Sequence, residues 1–336
     1  MTIKDLAAQT GYSLGTVSRV LNNQPNVSEK ARKIILEAAA RGGFQLNTNA
    51  KQLRQQRSNA ILVVVKGNSN QLFGSLLESL QIHAARASYP LIVDYMDEDE
   101  NEVLRAVQLC REKKPLGVLF LGGNRQNFER HFHGIDQPCV LVTNDAEGLA
   151  YPNLSSVTSD DRQVGEMAIR QLVELGHKKI AVIGGDRQIS DITMLRYAGC
   201  ERAFRACGVP FDFEGDYVSA RFSYADGYQA VQTLLTRGRE FSALFTMADV
   251  MAIGAIRALR DNGLRVPEDV SVIGVDGLAI GQYMVPKLAT VRQSVEELAE
   301  RSLEILRAQI EHNANARYET IPVAVICRES VRMQRE

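Results

Sequence analysis

No run of 18 apolar residues occurs in the 336-residue chain, which argues against a membrane-spanning helix. The opening Met1-Thr2-Ile3-Lys4-Asp5 lacks the basic segment and apolar core of a secretory signal. Cysteine is sparse. Cys110, Cys139, Cys200, Cys207 and Cys327 are odd in number, scattered and without metal-ligand spacing. That excludes a disulfide framework and fits free thiols in a reducing cytoplasm. There is no Gly-rich loop ending in Lys-Ser/Thr, no HExxH and no CxxC, and His131 and His133 stand apart from any further ligand set. No nucleophile–base constellation or cofactor fingerprint is apparent, so the expectation is a protein that is not an enzyme and holds neither cofactor nor metal. The last residues, Ser330 to Glu336, contain no leucine heptads, so no coiled-coil tetramer is expected.

What is present is unevenly distributed. Residues 1–57 hold nine Lys/Arg against three acids, a surplus of +6, while the remainder holds 30 bases and 37 acids, or −7. A basic head on an acidic body directs a polyanionic partner to the head alone. The head reads as three short helices. Thr2 can cap a helix over Ile3–Gln9, with Leu6 and Ala7 inward, and Gly11-Tyr12 fits a tight turn. Ser13 can cap Leu14–Leu21, where Val17, Val20 and Leu21 share a face, before Asn22 to Asn26 break the pattern at Pro25. Ser28 can cap Glu29–Arg41, with Ala31, Ile34, Ile35 and Ala38 in one stripe, and Gly42-Gly43 ends it. A second helix set steeply after a turn can enter the major groove, where Thr16 and Ser18 donate or accept and Arg19 reaches guanine or phosphate. A three-helix packing module without nucleic acid is the other reading of this pattern; the basic surplus favours DNA.

Residues 45–58 are polar and basic, with too few apolar residues for a core, and read as a linker. From residue 60 apolar strands alternate with amphipathic helices. Strands are predicted over 60–65, 90–95, 116–121, 139–143, 179–184, 217–220, 243–247 and 270–275. Helices are predicted over 73–88, 102–111, 161–175, 194–207, 224–235 and 250–262. This is the pattern of an α/β body with two doubly wound parallel subdomains, which offers a ligand cleft at the carboxyl ends of the strands. Asp276 directly follows a strand, positioned either to meet a ligand or to cap a helix starting at Gly277 or Leu278. Gly122-Gly123-Asn124 follow another strand and can admit a ligand closely.

The head motif Ile3-Lys4-Asp5-Leu6-Ala7…Gly11-Tyr12-Ser13-Leu14-Gly15-Thr16-Val17-Ser18-Arg19-Val20-Leu21-Asn22 resembles the lactose-repressor (LacI) family. So do Asn47…Ala50-Lys51…Leu53, Glu174-Leu175-Gly176-His177-Lys178-Lys179, Met251–Ala255, Arg265–Asp276 and Leu288–Gln293, in the same order along essentially the whole chain. The resemblance implies a helix-turn-helix head over 1–45, a hinge over 46–58 and an effector-binding, dimerising body over 59–336. That body would resemble periplasmic binding proteins, with an N-subdomain of about 59–159 and 291–321 and a C-subdomain of about 160–290 and 322–336. The partners it implies are a pseudo-palindromic double-stranded DNA operator, a second copy of the chain and a small-molecule effector, most simply a carbohydrate, with no membrane. The function it implies is an effector-controlled transcriptional repressor in the bacterial cytoplasm, at the nucleoid when bound to its operator.

The same resemblance extends the DNA-contacting set to Thr2, Lys4, Ser13, Leu14, Gly15, Asn22 and Asn26. It also makes Leu53, followed by Arg54, the wedge that enters the minor groove when the hinge folds on DNA. In the cleft it implies contacts from Leu72, Phe73, Asn124, Asp160, Arg196, Phe222, Asp249 and Asp276. A structural salt bridge competes for Arg196, and core packing for the aromatics. Met194, Ala248 and the run Gln71-Leu72-Phe73 depart from the lactose type and leave the ligand's identity open. A solute-binding protein would share this body but not the basic head, and a doubly wound enzyme would need the catalytic set that is missing.

Overall fold

The computed structural model describes residues 3–21, 27–41, 58–67 and 70–334. The chain divides into two compact units, Met1–Gln56 and Arg57–Glu336.

Among the described residues of the first unit three helices form, α1 (Ile3–Thr10), α2 (Leu14–Leu21) and α3 (Glu29–Arg41). Gly11, at φ +72°, closes α1 with its N–H on the Ala7 carbonyl at 3.0 Å. The Ser13 hydroxyl accepts from the Thr16 N–H at 3.2 Å, and Ser28 does the same for Ala31 at 3.3 Å, so both predicted serine caps form, while Thr2 lies outside the described residues. Leu6, Val17, Val20, Ala31, Ile35, Ala38 and Ala39 make the buried centre, whereas Ile34, expected in the same stripe, is only half-buried and not part of it.

The second unit contains two six-stranded sheets. The first runs β11-β5-β4-β3-β1-β2, built from β1 (Ile61–Lys66), β2 (Leu91–Met96), β3 (Gly117–Leu121), β4 (Cys139–Val142), β5 (Leu154–Ser159) and β11 (Tyr318–Ile321), all parallel. The second runs β12-β10-β9-β8-β6-β7, from β6 (Ile180–Gly184), β7 (Tyr217–Ser219), β8 (Ala243–Thr246), β9 (Ser271–Asp276), β10 (Ala289–Arg292) and β12 (Ala324–Ile326). It is parallel except that β12 pairs antiparallel with β10.

Both faces of each sheet are covered, which is why central strands such as β3, β4 and β6 are apolar throughout. In β1, Ile61, Val63 and Val65 pack under the helices Gln71–Arg86 and Val295–His312, whereas Leu62 and Val64 face Glu102–Lys113. The second sheet lies between Asp161–Glu174 with Asp191–Cys207 on one face and Tyr224–Thr236 with Asp249–Asp261 on the other. Glycine sets the spacing within each helix pair. A Cβ on Gly165 would stand 1.9 Å from the Arg196 carbonyl, and one on Gly254 would stand 2.0 Å from that of Tyr224.

The chain passes between the sheets after β5, after β10 and from β11 to β12. The division expected at 290/291 falls inside β10. That strand stays with the second sheet through Arg292, which is in register with Asp276 of β9, because the ladder holds it there. The predicted elements are otherwise displaced by a few residues at most, but β5, β10, β11 and β12 were not among the predicted strands.

Candidate functional site

Between the two sheets of the second unit lies a cavity of about 530 Å³, walled by loops at the carboxyl ends of strands from both. Lys66 ends β1 and Gly67 follows it, Gly122 to Asn124 follow β3, Thr143 and Asn144 follow β4, Gly185 to Ser190 follow β6 and Ala220 to Phe222 follow β7. Gly122 adopts φ +77°, and a Cβ there would stand 2.8 Å from the Phe73 ring, so the glycine lets Phe73 reach the wall.

The floor is ionic and buried. Asp276 ends β9 at φ +114°, a conformation that only the surrounding packing can impose on a non-glycine residue. It is 2 % exposed. One carboxylate oxygen accepts from Gln293 Nε2 at 2.8 Å, and the other, Oδ2, has no partner. Burial pushes its carboxyl up to about 6, against the lowering pull of the Arg196 guanidinium and the Gln293 amide. Arg196 is equally buried. Its Nε donates to Asp161 at 2.8 Å and a terminal N–H donates to the Met247 carbonyl. Burial likewise raises Asp161 while Arg196 lowers it. On the opposite wall the fully buried Glu102 accepts from Lys66 Nζ, from the Asn124 N–H at 2.6 Å and from Asn127 Nδ2 at 2.9 Å. This fixes where Asn124 sits.

Of the residues expected at the cleft, Leu72, Phe73, Asn124, Arg196, Phe222 and Asp276 line the cavity. Leu72 and Phe73 are also core residues, so the two roles weighed for them coincide. Arg196 both makes a salt bridge and faces the cavity.

Asp160 and Asp249 are not in the lining. Asp160 is exposed and caps the helix Asp161–Glu174, accepting from the Gln163 N–H at 3.0 Å; its neighbour Asp161 is the carboxylate that points inward to Arg196. Asp249 is wholly buried behind β9. There Oδ2 accepts from the Leu278 N–H at 2.7 Å, and burial together with the Asp276 charge drives its carboxyl well up. It braces the loop after Asp276.

Residues that sequence reasoning missed include Lys66, Glu102, Asn144, Asp161, Arg221 and Gln293. Gln293 closes the Leu288–Gln293 motif, while Asp161 adjoins Asp160 and Arg221 adjoins Phe222, so a signal lay close by for these three. For Glu102 no local signal exists, because burial of a helix-start glutamate is decided by β1 and the 124–127 turn.

In the first unit Leu14, Gly15 and Arg19 are exposed along α2, on the side away from Val17 and Val20, and Thr16 is half-buried with its hydroxyl 2.9 Å from that of Ser13. Thr2, Asn22, Asn26, Leu53 and Arg54 lie outside the described residues, as do the side chains of Lys4 and Ser18. Among the described residues there is no cluster of metal-binding side chains and no helix long and apolar enough to cross a membrane.

Comparison with known proteins places both units. Residues 2–47 match the model of bacterial regulatory proteins of the lacI family, and residues 169–331 match a periplasmic binding protein-like domain. The HTH-type transcriptional regulator MalR of Clostridium butyricum is 30 % identical over 98 % of this chain and 99 % of its own. The HTH-type transcriptional repressor PurR of Haemophilus influenzae is 29 % identical over 93 % of this chain and 91 % of its own. Among solved structures, the transcriptional regulator CelR in complex with cellobiose superposes with a TM-score of 0.72 at 25 % identity, covering 98 % of this chain and 99 % of CelR. A head that matches the lacI model, a body that matches a periplasmic binding protein-like domain over 169–331 and a relative 30 % identical over 98 % of the chain leave one assignment: the chain belongs to the lacI family of bacterial regulatory proteins and is a DNA-binding transcriptional regulator.

Proposed function

We propose that the chain is a repressor that binds a pseudo-palindromic operator as a homodimer through a head spanning 1–45 and a hinge spanning 46–58. In this reading a carbohydrate bound between the two sheets of the body, residues 59–336, changes its operator affinity. The observation that carries the effector reading is the buried, unpartnered Oδ2 of Asp276 at the edge of a roughly 530 Å³ cavity. An orphan buried acceptor costs about 1–3 kcal/mol until a donor reaches it. A ligand hydroxyl is such a donor, the Phe73 and Phe222 rings supply apolar walls, and the cellobiose complex of CelR supports the same class of ligand.

The residues assigned to this cleft are Leu72, Phe73, Asn124, Arg196, Phe222 and Asp276, with Asp161 and Gln293 as positioning residues. The residues assigned to DNA are Ser13, Leu14, Gly15, Thr16 and Arg19 of the described head, together with Thr2, Lys4, Ser18, Asn22, Asn26, Leu53 and Arg54. With a glycine at 15 and a leucine at 14, α2 offers few polar groups to base edges, so half-site spacing and the Leu53 wedge must supply part of the specificity. Ligand binding at the cleft then shifts operator affinity through a coupling of about 1–3 kcal/mol.

The test has two arms. Footprinting of the intact protein on DNA upstream of its own coding region should show one protected pseudo-palindrome, lost on Arg19→Ala. Thermal shift against neutral mono- and disaccharides should show a stabilising compound that also alters the footprint, with the stabilisation lost in Asp276→Ala. A protein that stabilises with no carbohydrate but does so with a nucleobase would replace the effector half of this reading and leave the DNA half standing.

A further inference from the structure

The mouth of the cleft carries a group of charges that the ligand-binding reading does not use. Arg221 stands in the turn after β7, on the second sheet's side. Its guanidinium crosses to the turn after β2, on the first sheet's side, and meets three successive carboxylates: Asp97 at 2.8 Å, Asp99 at 3.0 Å and Glu98. That acidic turn is itself ordered, with the Asp99 N–H on Asp97 Oδ1 at 3.1 Å and the Glu100 N–H on the Asp97 carbonyl at 3.2 Å.

A single exposed ion pair contributes little. Here, however, one cation answers three anions, and the alternative is unfavourable. The other charged residues lining the cavity from the second sheet are Asp186, Asp226, Asp276 and Arg196, and Arg196 is held by Asp161. Without Arg221 the facing mouths would both be acidic and would repel.

Two further bonds cross the cleft where the helices starting at Arg125 and Asp191 meet. Asn124 Nδ2 donates to the Ile189 carbonyl at 3.1 Å, and the Arg125 N–H donates to Asp191 Oδ2 at 3.0 Å. The Arg125 amide is therefore a built-in reporter of whether the two halves of the body are apposed.

We infer that Arg221 with Asp97, Glu98 and Asp99 is an electrostatic latch that holds the two halves of the body together across the cleft mouth and must open to admit a ligand. The inference concerns regulation of the same cleft and takes from the proposed function only that a ligand enters there. Because the charges are exposed, the latch weakens as salt screens it, whereas the Asn124–Ile189 bond does not. Release raises the open population, which is where amide exchange at the mouth takes place.

The test needs no effector, so it can fail without touching the ligand reading. Hydrogen exchange of the full chain is compared for wild type, Arg221→Gln and Arg221→Lys in 50 and 500 mM NaCl. The expected result is that the Arg125 amide and the segments 97–100 and 186–191 exchange several-fold faster in Arg221→Gln than in wild type at low salt. High salt should bring wild type to the variant's rate, the variant should not respond to salt, and Arg221→Lys should lie between. Amides of β1 and β6 serve as controls and should not change. Equal exchange at Arg125 in wild type and Arg221→Gln at low salt overturns the latch, as does a wild type indifferent to salt. Should the control amides also accelerate in Arg221→Gln, the comparison passes to the opposite partner, with Asp97→Asn, Glu98→Gln and Asp99→Asn combined, and the same two outcomes decide.

Discussion

Asp276 makes two demands on the fold: a positive φ and a buried carboxylate with one oxygen unanswered. Its folded value of about 6 lies above the ordinary value of 3.8, so between those values the folded chain holds a proton that the unfolded chain releases. Stability contributed at this site therefore falls as pH rises through that window, and the full penalty, about 3 kcal/mol at most, is present above pH 6. Asp276→Asn keeps an acceptor for Gln293 and tolerates the backbone. It should raise the unfolding free energy from urea denaturation at pH 7.5 by up to that amount and change it little at pH 4. Equal effects at both pH values would remove the argument. Arg196 tests the neighbouring pair: Arg196→Met strands the buried Asp161 and should cost about 3–5 kcal/mol in the same measurement, with Asp161→Asn in the same background recovering most of it. At this scale the sequence was partly readable. Asp276 stands at the end of a recognisable motif and Arg196 follows from the family resemblance, but nothing local distinguishes Asp160 as a cap from Asp161 as the ion-pair partner, since adjacent residues at a helix start differ only in which way the backbone points them.

At the scale of elements, helix pairing rests on glycines whose role depends on the neighbour. Gly254→Ala would press a methyl group into the Tyr224 carbonyl, forcing the helices Tyr224–Thr236 and Asp249–Asp261 apart. A loss of several kcal/mol is expected, beyond the range of ordinary surface substitutions. Gly74, inside the helix Gln71–Arg86, has nothing within 4 Å of the same position, so Gly74→Ala should stabilise by about 0.5–1 kcal/mol. Chemical denaturation of the pair decides it, since the same substitution must act with opposite sign. Strands covered on both faces were legible because they are continuous apolar runs. β5 was not, because Leu154-Ser155-Ser156-Val157-Thr158-Ser159 is polar by composition yet entirely buried. Three of its four hydroxyls find partners: Ser155 Oγ accepts from the Arg317 N–H at 3.1 Å, Ser156 Oγ accepts from the Ala146 N–H at 3.0 Å, and Thr158 Oγ1 donates to the Thr143 carbonyl at 2.9 Å, while Ser159 Oγ is buried without one. Those partners become neighbours only when β5 pairs with β4 and β11, which the strand's own residues do not encode.

For the whole molecule, charge and connectivity divide the work. The +6 head and −7 body predict that operator affinity depends steeply on salt. If the dimer neutralises about 6–10 phosphates, affinity should fall roughly 10³–10⁵-fold between 50 and 200 mM salt. Fluorescence anisotropy with labelled operator measures this, and a nearly flat response would mean that the head's bases do not meet phosphate. His177, inside a motif shared with the family, shows how the body is closed: buried, it bonds Ser242 Oγ at 2.9 Å, Ser271 Oγ at 3.0 Å and the Arg332 carbonyl at 3.1 Å, tying the C-terminal segment to two strands. By itself the amino-acid sequence determined the three-helix head, its two serine caps, the alternation of apolar strands and helices, and the family, since each of these is written in local periodicity and ordered motifs. The tertiary structure alone decided that β10 stays with the second sheet, that Glu102 is buried to place Asn124, that Asp249 stands behind the cleft and not in it, and that Arg221 meets an acidic turn more than 120 residues away. Each of these depends on which loops the two sheets bring face to face, and that is a property of strand order.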